Sequence, residues 1–89
     1  MSNSRVVERM HVLADELESR EITLRQFADQ LPGHLSALEA MSYAKIKEGQ
    51  ISAYRIRIVA DYKDEGCDVR PQVQQILQWM RGWLQSVPK

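Results

Sequence analysis

Several ingredients are scarce in this chain of 89 residues, and each scarcity excludes a class of protein. The single cysteine, Cys67, excludes an internal disulfide and leads us to expect a reducing compartment, the cytoplasm. No apolar run approaches the roughly 20 residues that cross a bilayer, so we expect no membrane partner. The N-terminal residues lead directly into an amphipathic pattern, without the apolar core of a signal peptide.

An excess of charge of one sign is also lacking, because twelve basic residues balance twelve acidic ones. The charges are unevenly placed: residues 43–63 hold five Lys or Arg against two Asp or Glu, whereas residues 1–42 hold four against seven. A neutral total argues against tight nonspecific binding to nucleic acid, which depends on many phosphate contacts. The basic middle segment still permits a local contact with an anionic partner.

Catalytic and metal-binding motifs are absent as well. His11, His34 and Cys67 lie far apart in the sequence, and no closely spaced pair could seed a metal site. Cys67 lies in an acidic loop with Glu65 and Asp68, which disfavour a thiolate. The chain has no phosphate-binding glycine loop and no nucleophile elbow. We therefore predict no enzymatic activity, no cofactor and no metal.

Apolar residues recur at three- and four-residue steps along most of the chain, which is the spacing of one helix face. This spacing predicts a single all-α domain over residues 1–89, folded as a compact bundle of four to five short helices. Ser4 is the expected N-cap of the first helix. The segments with this pattern are residues 4–19, 23–31, 36–47, 50–63 and 70–87.

Local signals predict where the second and third helices begin and end. Residues 23–26 fit a capping box, in which a threonine and a glutamine each satisfy a free backbone group. Pro32 and Gly33 predict a helix end, because proline disfavours helical geometry in the residue before it. Ser36 then predicts the start of another helix, and Gly49 predicts its end.

Residues 50–63 leave two alternatives open. As a helix, the segment has an apolar stripe with Ile56 outside it. As a strand, the segment alternates apolar and basic side chains over residues 54–58, which gives a minor α+β alternative with residues 53–60 as the strand. The helix is favoured because no second strand is visible, although two copies of the strand could pair in a homodimer. The helical stripe consists of Ile51, Tyr54, Ile58, Val59 and Tyr62.

The C-terminal segment, residues 70–87, carries both tryptophans and the clearest helical stripe of the chain. Pro71 suits the first turn of this helix. Trp79 and Trp83 lie one turn apart at the edge of the stripe, where a ring can seal the core or contact a partner, and both alternatives remain open. Gly82 costs about 1 kcal/mol of helix propensity relative to alanine, so we expect close packing against it.

These features predict a small non-enzymatic protein-interaction module: an adaptor, an inhibitor or a regulator that binds a protein partner or a second copy of itself. Its size is typical of accessory proteins encoded by phages or mobile elements. The expected binding surface is the C-terminal helix, because tryptophan and arginine are common in interface hot spots. The predicted partner-binding residues are Trp79, Arg81, Trp83 and Gln75.

The alternative function is a DNA-binding transcriptional regulator. Residues 23–31, a turn at residues 32–33 and residues 36–47 have the lengths of a helix-turn-helix at about 23–47. Residues 24–31 resemble the first helix of phage-repressor-type motifs, with alanine midway and an apolar residue before the turn. A basic patch at 45–57 supplies the predicted phosphate contacts, which are Lys45, Lys47, Arg55 and Arg57.

Overall fold

Four helices account for most of the chain in the computed structural model, which describes residues 3–88. No strand occurs in this range, so the prediction of an all-α bundle is confirmed, and residues 53–60 are helical. The second helix packs against the first and the third, and the first also packs against the fourth. The helices are α1 (Ser4–Glu18), α2 (Leu24–Ala37), α3 (Tyr43–Asp64) and α4 (Arg70–Gln85).

The starts of two helices, α2 and α4, agree with the local signals, and the starts of α1 and α3 differ from them. The capping box at the start of α2 is confirmed, since Thr23 Oγ1 accepts from the amide of Gln26 at 3.0 Å and the amide of Thr23 donates to Gln26 Oε1 at 2.8 Å. Pro71 lies in the first turn of α4, as predicted. The N-cap of α1 is Asn3, so the prediction of Ser4 is wrong by one residue.

The helix α2 does not end at Pro32 and Gly33, which contradicts the predicted break. Its inner face continues through this point, because Leu31 is fully buried and Leu35 packs against the core one turn later. A proline within a helix costs about 3 kcal/mol, mainly through a lost hydrogen bond and a clash with the preceding turn. Continued burial of the α2 inner face offsets this cost.

The turn between α2 and α3 lies at residues 38–42 instead of 32–33. Ser36 is therefore not an N-cap but belongs to the last turn of α2, where its hydroxyl donates to the carbonyl of Pro32 at 2.9 Å. The actual N-cap of α3 is Ser42, whose side chain accepts from the amide of Lys45 at 3.2 Å. The predicted helix-turn-helix, with its turn at 32–33, is thus absent from the described chain.

The helix α3 runs through Gly49, which was predicted to be its end. A Cβ atom at Gly49 would lie 3.2 Å from Leu35 Cδ2 and 3.2 Å from Trp83 Cζ2. Glycine at this position therefore lets α2 and α4 approach α3 more closely than a larger residue would. Gly82 in α4 has the opposite environment, since its Cβ position has no heavy atom within 4 Å from the described residues beyond its chain neighbours and its own helix backbone, and the predicted close packing there is wrong.

This contrast predicts opposite effects of substitution at the two glycines. Gly82→Ala should raise the free energy of unfolding by about 0.5–1 kcal/mol, because alanine favours the helix and has room. Gly49→Val should lower it by about 1–3 kcal/mol, because the added atoms force Leu35 or Trp83 to move. Urea denaturation followed by circular dichroism measures both values, and stabilisation by Gly49→Val would contradict the observed close approach.

Candidate functional site

The helix α3 is apolar on two opposite sides, and the bundle buries only one of them. The buried side of α3 consists of Gly49, Ala53, Ile56 and Ala60. The apolar stripe identified in the sequence lies on the other side, except that Val59 is half-buried and packs against the core. Ile56, which lies outside that stripe, is the large side chain that α3 contributes to the core.

The exposed side forms a continuous surface along the helix. We define the outward face of α3 as five exposed residues, Tyr43, Ile51, Tyr54, Ile58 and Tyr62. The three tyrosines are 76%, 68% and 53% exposed, and at about 150–250 Å² for a whole aromatic side chain they leave roughly 400 Å² in water. That area alone is comparable to the largest apolar patch of a typical monomer, about 300–600 Å².

Small residues on the buried side explain why the larger ones point outward. Gly49 lies where Trp83 and Leu35 approach the helix, as the distances show, and Ala53 lines the same groove as these two side chains. A tyrosine or isoleucine would not fit there without moving these side chains. The side of α3 that carries small residues therefore packs against the bundle, and the side that carries large residues remains on the surface.

Basic side chains flank the outward face. Lys47, Arg55, Arg57 and Lys63 are exposed, and none of them forms an ion pair with another residue in the range 3–88. Lys47 Nζ lies 5.7 Å from the centre of the Tyr43 ring, within range of a cation–π interaction.

The acidic residues near the C-terminal end of α3 are paired within the bundle. Arg25 of α2 contacts Asp61 at 2.5 Å and Asp64 at 2.9 Å. The side-chain hydrogen bonds to Asp61 and then Asp64 raise the pKa of Arg25 further, so the guanidinium stays charged. These two carboxylates therefore pair with Arg25 of α2 and not with the basic residues that flank the outward face.

The four basic residues predicted to contact phosphate do not form one patch. Lys45 points inward, where its Nζ donates to the carbonyl of Trp83 at 2.7 Å and bonds to Ser86 Oγ. It also lies 4.6 Å from the centre of the Trp83 ring, so it stabilises the C-terminal end of α4. Lys47 and Arg55 line a groove that Trp79 of α4 closes, whereas Arg57 lines a groove of about 500 Å³ towards α2.

The predicted partner-binding residues of α4 also fall into two groups, one held by contacts within the chain and one on the surface. Trp83 is only 4% exposed and belongs to the core. Arg81 pairs with Glu18 at 2.5 Å and with Asp15 at 3.0 Å, and these hydrogen bonds, first to Glu18 and then to Asp15, raise the pKa of Arg81. Both side chains are thus occupied by contacts within the chain.

Trp79 and Gln75 lie within reach of a partner protein bound to the outward face of α3. Trp79 is half-buried, its ring centre lies 5.7 Å from that of Trp83, and its Nε1 donates to Glu48 Oε1 at 3.3 Å. Trp79 and the exposed Gln75 line a groove between α4 and α3 together with Arg55. The candidate site is therefore the outward face of α3 with Trp79 at its edge.

Among residues 3–88, one buried side-chain polar atom has no hydrogen-bond partner. The indole Nε1 of Trp83 is buried and has no hydrogen-bond acceptor among residues 3–88. Such a group costs about 1–3 kcal/mol. The position is fixed by the packing of the ring between Gly49 and Lys45, which shows that shape rather than hydrogen bonding places Trp83.

The described residues provide no other recognisable site. No group of three or more His, Cys, Asp or Glu among them could hold a metal ion, and Cys67 is an exposed free thiol. None of the helices in this part of the chain is long and apolar enough to cross a membrane. Comparisons with protein-family models, with curated proteins and with solved structures each found no match. A function must therefore be argued from the surface of α3.

Proposed function

We propose that this chain is a non-enzymatic protein-interaction module of the cytoplasm, and that the outward face of α3 is its binding surface. The observation that carries the proposal is a face of three tyrosines and two isoleucines, exposed on one side of a helix whose other side is buried. The largest apolar patch on a monomer is often functional, and tyrosine is enriched among interface hot spots. The proposal keeps Trp79 as an edge contact and leaves Trp83 and Arg81 as structural residues.

Water can hydrate the tyrosine hydroxyls, which lowers the free-energy cost of exposing this face in the unbound chain. Each ring offers a large apolar area with few rotatable bonds, so little side-chain entropy is lost on binding. The flanking positive charges of Lys47, Arg55 and Arg57 favour a partner whose contact surface is apolar in the centre and acidic at the rim.

The test is photo-crosslinking in the native host. Benzoylphenylalanine in place of Tyr54 should give an irradiation-dependent adduct with another polypeptide. Ile58→Asp should reduce the yield of that adduct at least tenfold, because it places an unpaired charge in the contact. The matched control is benzoylphenylalanine in place of Val12, which is also an exposed apolar residue but lies on α1. Equal adducts from positions 54 and 12 would contradict the proposal.

A second candidate, binding to nucleic acid, has one observation in its favour. Lys47, Arg55 and Arg57 lie between the first and the last tyrosine of α3, and a surface with cations and aromatic rings can contact phosphates and stack on bases. Lys45 does not contribute, because its ammonium group is held by α4. Titration into fluorescent duplex DNA distinguishes the two functions: salt-dependent binding lost in Arg55→Glu with Arg57→Glu supports this candidate, and no binding at low salt excludes it.

A further inference from the structure

The spacing of the residues along the outward face of α3 indicates what kind of surface fits it. Lys47, Ile51, Tyr54 and Ile58 follow one another at steps of four, three and four residues, with Tyr43 and Tyr62 near the two ends of the helix. Alternating steps of three and four are the spacing at which two helices pack side by side. The face is thus suited to another helix lying along α3.

We propose that the occupant of this face is α3 of a second copy of the chain, packed antiparallel in a symmetric dimer. The inference rests on the proposed function, since it names the partner of the same surface. A two-fold symmetric contact requires that the face be complementary to itself. The sequence of α3 meets this requirement in both its apolar residues and its charges.

The apolar residues set the register of the pair. In an antiparallel pair with Ile51 level with Tyr54 of the second copy, Tyr54 is level with the other Ile51, and the contact repeats itself by symmetry. The same register places Lys47 level with Ile58, and it places Tyr43 level with Tyr62 along the axis, with these two tyrosines at opposite edges of the contact. A lysine can lie along such a contact with its stem on apolar surface and its ammonium group in water.

The charges beside the face are complementary in this register. Glu48 and Arg55 lie on the side of α3 that faces α4, seven residues apart, and they are too distant along one helix to pair with each other. Two-fold symmetry brings this side of one helix to the same side of the other. Glu48 of each copy then lies within two residues, about 3 Å along the axis, of the level of Arg55 in the other copy. The dimer therefore contains two identical opposite-charge pairs.

The parallel arrangement lacks this complementarity. In register, it would place Lys47 beside Lys47 of the second copy in the centre of the contact, where like charges repel. It would also place Gln50, instead of Glu48, near Arg55 of the second copy, so no ion pair forms. The antiparallel pair is therefore favoured by both core and flanking residues.

The area of the face predicts a dimer that dissociates on dilution. Specific stable interfaces bury about 800 Å² on each partner. The tyrosines expose roughly half of that area, and the isoleucines, the stems of the flanking cations and the edge of Trp79 add to it. The contact thus falls near the lower end of the stable range, where dissociation constants are commonly micromolar.

Sedimentation equilibrium of the purified full chain over a wide concentration range tests the dimer. The wild type should change from monomer to dimer as concentration rises, and Ile58→Asp should raise the dissociation constant about 100-fold, since the substitution acts twice in a symmetric contact. Val12→Asp, an equivalent change on α1, should leave it unchanged. A wild-type chain that remains monomeric at millimolar concentration would overturn the proposal, as would equal weakening by both substitutions.

A charge exchange tests the antiparallel register. Glu48→Arg and Arg55→Glu, each alone, should weaken the dimer about tenfold, because each creates two like-charge pairs. Mixing the two single variants should restore dimerisation, since the heterodimer regains two opposite-charge pairs. Circular dichroism checks that both variants remain folded. A mixture that dimerises no better than either variant alone would exclude this register.

The two experiments separate failure of the dimer from failure of the proposed function. If the chain is monomeric but position 54 still gives an adduct with a different protein in the native host, the binding surface is supported. A second copy of the chain is then excluded as its occupant. If the chain is monomeric and position 54 gives no such adduct, both the dimer and the proposed binding surface are excluded. An adduct with the mass of two chains agrees with both.

Discussion

Replacing Trp83 with alanine should lower the free energy of unfolding by about 3–5 kcal/mol, the usual cost of truncating a buried aromatic side chain. Trp83 is 4% exposed, its ring packs against Gly49, and Lys45 lies over its face. Domains of this size are stable by only about 5–15 kcal/mol, so the variant should be partly unfolded at 37 °C. Thermal and urea denaturation followed by circular dichroism measure the loss.

Trp79→Ala is the matched control, because it removes the same side chain one turn earlier in α4. Trp79 is half-buried, so its truncation should cost clearly less, about 1–2 kcal/mol. Equal stability of the two variants would contradict the assignment of Trp83 to the core. The comparison decides between the two alternatives that the sequence leaves open for these residues, with Trp83 expected in the core and Trp79 at the edge of the binding surface.

The features that could be predicted from the sequence are those determined by neighbouring residues. The capping box at Thr23, the proline in the first turn of α4 and the helical character of residues 70–85 all depend on local hydrogen bonds and spacing. They form in the same way wherever the segment lies in the bundle. The all-α fold class follows from these local signals.

Helix ends that depend on tertiary packing could not be predicted in this way. Pro32 and Gly33 disfavour a helix locally, but Leu31 and Leu35 lie on the same buried side of α2 on either side of this pair. A helix that continues keeps both in the core. Gly49 likewise resembles a helix end until the positions of Leu35 and Trp83 are known.

The orientation of α3 was the hardest feature to predict, and it determines the candidate site. Its apolar residues lie on both sides, so periodicity alone does not identify the core side. The available signal was size: Gly49, Ala53 and Ala60 lie on one side with Ile56, whereas the tyrosines lie on the other. Small residues permit close packing of neighbouring helices, and this preference outweighs the greater hydrophobic area of the outward face.

Asn3 should be as important to stability as a core residue, although it is polar. Its side chain is 4% exposed; Nδ2 donates to the carbonyls of Glu39 at 2.8 Å and Pro88 at 2.7 Å, and Oδ1 accepts from the amide of Glu39 at 2.8 Å. Asn3 thus joins the start of α1, the turn between α2 and α3, and the segment after α4 at Pro88. Asn3→Ala should lower the free energy of unfolding by about 2–4 kcal/mol, because partly buried backbone groups lose their partners.

Asn3→Asp separates the contribution of the donor from that of the acceptor. Aspartate keeps an oxygen for the amide of Glu39 but replaces the donor with an oxygen that faces the carbonyls of Glu39 and Pro88. It should therefore destabilise at pH 7 at least as much as Asn3→Ala, and part of the stability should return on acidification, since the protonated carboxyl can donate again. Urea denaturation at both pH values measures this. If Asn3→Asp were as stable as the wild type at pH 7, the two donated hydrogen bonds would contribute nothing, and the link between the chain ends would rest on apolar packing alone.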